Sequence, residues 1–436
     1  MIDRISRWLL SVLLRRIRTG TLTVIEDGER HVYGSGPPAA AIVVRSRRMW
    51  RMALTGTRGL AEAYARGLWD SPDVTALARL GARNAAGLDR LRARIAPVRV
   101  PIQRIRATAR RSTRDRRRRD IAAHYDLGNE LFSRMLDGTM SYSCAVFEDR
   151  VTTLDDAQLA KLELICDKLD LRETDHLLEI GTGWGALAIH AAATRGCHVT
   201  TTTISREQHE HAVAAVRGAG LQERVTVLRN DYRDLTGRYD RLVSIEMIEA
   251  VGWRHIGAFF AKCSELLAPD GAMLLQAITI DDRAYEVEKA SRSFINTHIF
   301  PGGCLPSLEA IARNVARRTD MRMLALEDLT PHYVETLRRW QRNLAAHAHE
   351  LAALGYDERF RRLWTLYLKY CEAGFAERRI RDIQVLLAKP CAHSSGMCRF
   401  DPDRLGGGRV TEELTNGPER ERPWPDEASA QRMPYG

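Results

Sequence analysis

The residues best suited to chemistry lie in Leu177-Leu178-Glu179-Ile180-Gly181-Thr182-Gly183-Trp184-Gly185. An apolar strand runs into an acid and then into a G-x-G-x-G turn that opens a helix, Ala186-Leu187-Ala188-Ile189-His190. Gly181, Gly183 and Gly185 let the backbone turn tightly and approach a ligand at the carboxyl end of a strand, where open α/β sheets bind ligands. A dinucleotide site would carry G-x-G-x-x-G, with a helix N-terminus facing a pyrophosphate. Here the third glycine comes one residue early and Glu179 precedes the loop. That favours S-adenosylmethionine, which has an amino-acid tail and no pyrophosphate.

The ends of the following strands carry polar chemistry as well. Thr203, Ser205 and Gln208 fall where a ribose would lie, and Asp231 and Tyr232 where an adenine edge would. Ser244 to Gly252 closes the fourth strand, facing the methyl group. Trp184 and Glu246 also admit plain structural roles, in loop packing and strand capping.

These side chains need a sheet to position them. From 120 to 390 the chain alternates apolar strands with helical stretches, the pattern of an α/β doubly wound, mostly parallel sheet. Strands are predicted at His176–Ile180, His198–Ile204, Val225–Leu228, Arg241–Glu246 and Met273–Ile280. Residues 1–95 read as a small N-terminal α/β domain. It has strands at Thr21–Ile25, His31–Tyr33 and Ala41–Val44, an Asp27-Gly28 hairpin turn, and a mostly helical stretch over 47–80. An Arg-rich linker at 96–119 and a Gly- and Pro-rich mobile tail at 391–436 complete the chain.

At 436 residues, with 44% hydrophobic and 28% charged, the chain is neither mainly disordered nor a polytopic membrane protein. Of 66 basic residues only six are lysine, so the net charge of +10 is read as Arg-rich coding rather than function. Eight scattered cysteines without a CxxC indicate reduced thiols in a cytoplasm, and no metal site. The nine arginines between 104 and 119 suit a solvated linker or an anionic lipid surface better than nucleic acid, since no aromatic residue is interleaved to stack bases. The apolar run Trp8–Leu14, flanked by Arg4, Arg7, Arg15 and Arg16, is too short to span a bilayer. It fits either an amphipathic helix on a membrane surface or a helix packed on its own domain.

Several further stretches carry a family resemblance. They are His124-Tyr125-Asp126-Leu127-Gly128-Asn129, Thr139-Met140-Ser141-Tyr142-Ser143-Cys144-Ala145, Asp231-Tyr232-Arg233-Asp234-Leu235, Phe300-Pro301-Gly302-Gly303-Cys304-Leu305-Pro306-Ser307 and Ile383-Gln384-Val385-Leu386-Leu387. With the glycine loop, they make the chain resemble the cyclopropane-fatty-acyl-phospholipid synthases and mycolic acid cyclopropane synthases. The resemblance implies a class I S-adenosylmethionine-dependent methyltransferase fold, with Tyr142 and Ser143 joining the cofactor site. It also implies addition of a methylene across the double bond of unsaturated phospholipid acyl chains. The alkene attacks the sulfonium methyl, a carbocation forms on the acyl chain, and a base removes a proton so that the ring closes. In the family bound bicarbonate is thought to be that base. Its ligands map here to the Cys144 backbone, Glu249, position 276, the Ile278 backbone and Tyr333. Cys371 aligns with a cysteine sometimes nominated as a nucleophile, with core packing as its plain alternative.

Two departures from the family pattern matter. Ile248-Glu249-Ala250-Val251-Gly252 stands for Phe-Glu-His-Val-Gly and keeps the glutamate. Leu275-Gln276-Ala277-Ile278 stands for Leu-His-Thr-Ile and loses the histidine. Gln276 donates hydrogen bonds but does not titrate, which leaves a methyl- or methylene-branched product as the alternative outcome. A non-catalytic lipid-binding relative and a small-molecule methyltransferase are further alternatives. The expected partner is a phospholipid bilayer, from the inner face of the membrane; a homodimer is left open.

Overall fold

The computed structural model describes residues 2–85, 87, 128–147, 153–289 and 291–392. The arginines of 104–119, His124 to Leu127 and the tail from 393 lie outside the described residues. Two sheets organise the rest. The smaller joins β1 (Gly20–Glu26), β2 (Glu29–Ser35), β3 (Ala39–Val44) and β4 (Trp69–Asp70) in the order β2-β1-β3-β4. Asp27 and Gly28 form the hairpin turn between β1 and β2, both at positive φ. The stretch predicted as mostly helical is broken into helices at Arg48–Ala53 and Thr57–Ala65, then β4, then a helical run over 74–85.

The larger sheet has seven strands: β5 (His176–Ile180), β6 (His198–Thr202), β7 (Val225–Leu228), β8 (Tyr239–Ile245), β9 (Leu267–Ile280), β10 (Arg322–Asp328) and β11 (Ile380–Ala388). Their order is β10-β11-β9-β8-β5-β6-β7. The pairs from β9 through β7 are parallel, and β10 and β11 join antiparallel at the β9 edge. Because β5 lies between β6 and β8, the chain reverses its direction of winding there. That switch point opens a crevice at the carboxyl ends of the strands.

Local chemistry fixes the helices that flank this crevice. Thr153 caps Leu154–Lys168 by accepting from the Asp156 N–H, with Asp155 and Asp156 in the first turn against the helix dipole. Ser205 caps Arg206–Gly218, and Ser307 caps Leu308–Arg318. The sequence reading places the start of β9 six residues late. Pro269-Asp270-Gly271 looks like a turn, yet it lies within the strand where the pairing with β8 shifts register between Tyr239 and Arg241.

The N-terminal sheet is clasped to the larger one through the helix Glu358–Ala376. Arg362 donates to the Tyr64 carbonyl at 2.8 Å and to Asp70 at 2.7 Å, and its guanidinium lies over the Tyr64 ring. Arg79 and Arg83 both reach Glu377 at 2.6 Å. The first helix, Ile2–Leu14, packs on its own domain and has two apolar faces. Leu10 and Leu14 pack on the small domain's core, while Ile2, Ile5, Trp8, Leu9, Val12 and Leu13 stay exposed. No helix among the described residues is long and apolar enough to cross a membrane.

Candidate active site

A cavity of about 1820 Å³ begins at the glycine loop after β5 and extends beneath the N-terminal sheet as far as Leu10, Leu13 and Leu14. Of the residues predicted for the site, Tyr142, Ser143, Glu179, Gly181, Gly183, Trp184, Thr203, Gln208, Asp231, Tyr232, Glu249, Ile278, Tyr333 and Cys371 line it. Cys144, Gly185, Ser205 and Gln276 do not. Gly185 takes a left-handed conformation to open the helix Ala186–Arg195, and an added Cβ there would crowd the Ala212 Cβ at 3.3 Å. Its role is close packing of loop on helix. Ser205 is spent as a helix cap.

The cofactor end is pre-shaped. Gly181 and Gly183 have φ of 109° and 53°, and a Cβ on Gly183 would meet nothing within 4 Å. The open space beside this loop is what an amino-acid tail needs. Thr203 and Gln208 bond to each other at the end of β6. Asp231 holds Arg233 at the end of β7, and Trp184 donates to Asn129 at 2.8 Å.

Hydrogen bonds at the chemical end converge on a residue the sequence reading treated as a strand cap. Glu246 Oε1 accepts from the Cys144 N–H at 2.8 Å and from Gln276 Nε2 at 2.9 Å; Oε2 accepts from the Tyr333 hydroxyl at 2.6 Å. Glu246 sits just past β8 with φ of 48°, a left-handed conformation that a side chain rarely adopts. Glu249, expected to hold a bound anion together with these donors, accepts from the Ile278 N–H at 2.6 Å. Its second oxygen has no hydrogen-bond partner among the described residues. Gln276 is fully buried, donates also to Asp382 at 3.0 Å and accepts from Gln384 at 3.0 Å. It therefore acts on the cavity only through Glu246.

Few charges compensate these acids. Burial pushes Glu179 and Glu249 up to about 8, and pushes Asp382 well above the usual carboxylate range. Glu246 is also raised by burial, with the Tyr333, Cys144 and Gln276 hydrogen bonds and the Lys161 charge pulling it back. Lys161 is buried beside them, donating to Ser143 Oγ at 3.0 Å. Burial lowers it, and the nearby Glu246, Asp137 and Glu179 hold it up. Several acids around one buried cation make a site short of positive charge, which fits a sulfonium ligand. Lys161 and Asp382 escaped the sequence reading; the signal for Lys161 was its rarity, as one of six lysines in an Arg-rich chain.

Aromatic faces complete the lining. Tyr333 stacks on Phe375 with ring centroids 4.3 Å apart. The Tyr142 and Tyr367 hydroxyls meet at 2.8 Å, and Phe300 lies against both rings. Cys371 sits among them, its thiol pushed by burial to about 12. It stays protonated at neutral pH, which is not the state of a nucleophile.

Residues 112–385 match the model of the mycolic acid cyclopropane synthetase family. The chain is 40% identical over 363 residues to a tuberculostearic acid methyltransferase of Mycobacterium tuberculosis, covering 79% of this chain and 84% of that one. It is 41% identical over 266 residues to the cyclopropane-fatty-acyl-phospholipid synthase of Escherichia coli, covering 61% and 66%. Among solved structures, a mycolic acid cyclopropane synthase complexed with SAH and CTAB superposes with a TM-score of 0.58 at 33% identity, over 62% of this chain and 98% of the other. S-adenosylmethionine is the methyl donor.

The shortage of positive charge has a measurable consequence. Below about pH 8 the ligand-free Glu249 is largely protonated. A cation arriving in the same cavity favours its ionised form, so binding expels up to one proton. Affinity for S-adenosylmethionine should rise between about pH 7 and about pH 9, by up to roughly tenfold per unit until Glu249 ionises unaided. S-adenosylhomocysteine, without the sulfonium charge, should show a shallower slope. Calorimetry in buffers of different ionisation enthalpy checks both slopes and the proton count.

Proposed function

The chain belongs to the mycolic acid cyclopropane synthetase family, and on that premise we propose that it methylates the double bond of an unsaturated phospholipid acyl chain and releases a methylene-branched product. The substrate class is carried by one observation, the cavity that joins the glycine loop to the apolar underside of the N-terminal helix. A cavity so lined takes a long apolar chain and excludes the water that would quench a carbocation.

S-adenosylmethionine supplies an electrophilic methyl group when bound. The residues do the rest. The faces of Tyr142, Phe300, Tyr333 and Tyr367 present negative quadrupoles to the cation on the acyl chain. The under-compensated carboxyls stabilise the same charge, which moves across the cavity without being neutralised. A base must then take a proton from the new methyl.

Two observations support branching. The 40% identity to a methyltransferase runs over 363 residues and 79% of this chain, whereas the match to the Escherichia coli synthase runs over 266 residues and 61%. In addition, the donors around the anion position, the Cys144 amide, Gln276 and Tyr333, are all neutral. Gln276 lacks the charge of the family's histidine, and charge-assisted hydrogen bonds are roughly twice as strong as neutral ones. Slower proton removal gives a hydride time to shift before the ring closes. The second reading, ring closure to a cyclopropane, is favoured by the family match and the intact Glu249.

The bilayer is the partner that suits the exposed face of the first helix. Trp8 and Leu13 are 64% and 41% exposed there, Arg15 and Arg16 flank them, and Leu13 also lines the cavity. Docking this face on lipid would set the mouth of the cavity against acyl chains, with the protein peripheral on the inner face of the membrane.

Two measurements test these readings. Proton NMR of lipid recovered after incubation with one monounsaturated phospholipid should show vinylidene protons; only upfield ring-methylene protons would return the enzyme to cyclopropane synthesis. Replacing Trp8 and Leu13 by Ser should weaken binding to anionic vesicles at least about tenfold, since each buried side chain contributes roughly 1.5–3 kcal/mol. Unchanged binding would locate membrane contact elsewhere.

A further inference from the structure

The geometry points to Glu246 as a built-in base: its carboxylate fills the anion position that the family resemblance assigns to bicarbonate and takes the proton from the newly delivered methyl. The assignment rests on the methyl-transfer reading for its chemistry, but the occupancy of the anion position stands on the hydrogen bonds alone.

Three donors from three separate elements meet on this one carboxylate: the Cys144 amide from the loop after Thr139, Gln276 from β9, and Tyr333 from the helix Thr330–Ala346. They are the groups expected to grip a free anion, and here they grip a side chain. A carboxylate offers about four lone-pair positions. Oε1 uses two and Oε2 one, which leaves one free acceptor on an oxygen of a residue that lines the cavity.

The backbone gives an independent reason. At φ of 48° glycine is the default residue, and a glutamate is kept there against local conformational preference. Such outliers persist where the surroundings over-determine them. The three hydrogen bonds to the carboxylate do so.

The other candidates fall short on position or protonation. Asp382 lies behind Gln276 and does not line the cavity. Glu249 has a single hydrogen bond and is pushed up to about 8. Glu179 sits under the glycine loop, bonded to Thr201. Tyr333 already donates to Glu246, and the Cys371 thiol stays protonated.

The step balances without a further reactant. The alkene π pair forms the bond to the methyl carbon as the carbon–sulfur pair departs on sulfur, and the neighbouring acyl carbon becomes cationic. In the branching course a hydride then moves to that carbon, placing the charge beside the new methyl. Glu246 removes one methyl proton, and the electron pair left behind forms the carbon–carbon double bond of the branch. Without the hydride shift the same pair closes the ring. The proton stays on Glu246 until the product leaves and solvent receives it.

The test compares wild type, E246G and E246Q in buffer depleted of carbon dioxide, with and without added bicarbonate. E246G suits the left-handed backbone and opens a carboxylate-sized space; E246Q keeps the shape without the basicity. Wild type should turn over a monounsaturated phospholipid equally in both buffers. E246G should fall roughly 10²-fold or more in depleted buffer and recover with bicarbonate, and E246Q should fall without recovery. Independently of turnover, 13C NMR should detect bicarbonate bound to E246G and not to wild type, with calorimetry confirming that both variants bind S-adenosylmethionine. A bicarbonate requirement in wild type, wild-type turnover by either variant in depleted buffer, or no bicarbonate bound to a folded E246G would each overturn the assignment. If wild type transfers no methyl to any acyl chain, the reaction proposed above fails, and the NMR result still decides who occupies the anion position.

Discussion

Carboxyl groups held out of water beside a single buried lysine govern this site. Two unit charges about 4 Å apart interact by roughly 4 kcal/mol at an effective dielectric near 20. Glu179, Glu246, Glu249 and Asp382 cannot all ionise against Lys161 without a large cost, and burial alone already pushes Glu179 and, with Glu246 nearby, Glu249 up to about 8. The protein resolves this by division of labour. Glu246 collects three donors and Lys161, while Glu249 keeps one hydrogen bond and an orphaned oxygen. The stored imbalance makes this end of the cavity favour a positive charge.

That preference suits a reaction in which positive charge is moved and not destroyed. A methyl cation equivalent passes from sulfur to carbon, and the charge travels with it to the acyl chain. Groups arranged around the whole cavity stabilise it at each position without reorganising. The switch point between β5 and β8 sets the distances. The glycine loop ends one strand, Glu246 ends its neighbour, and Gln276 on β9 reaches Glu246 from the next. Behind Gln276, its bond to Gln384 ties the base to the antiparallel β11.

Much of this was legible in the sequence because it is local. The glycine loop, the strand ends and the parallel strands follow from spacing and periodicity, and those features led to the cofactor. The parts that stayed hidden are tertiary. Glu246 looks like a strand cap until its backbone angle and its three partners, from residues 102, 30 and 87 positions away, are seen together. Asp382 lies immediately before a stretch recognised as a motif, without a hint that it faces Gln276. Gly185 and Ser205 were assigned to the ligand because glycine and serine at those positions also serve helix starts. The first helix packs on its own domain and still leaves a second apolar face exposed, which no one-face periodicity argument anticipates.

The central claim is that the proton lost in the reaction leaves the transferred methyl itself. Mass spectrometry of the lipid product made with trideuteromethyl S-adenosylmethionine tests it most directly. Loss of one deuterium, leaving two on the added carbon, is the predicted result for a methylene branch and for a ring alike. Retention of all three would mean that the proton leaves the acyl chain instead, and would contradict the account.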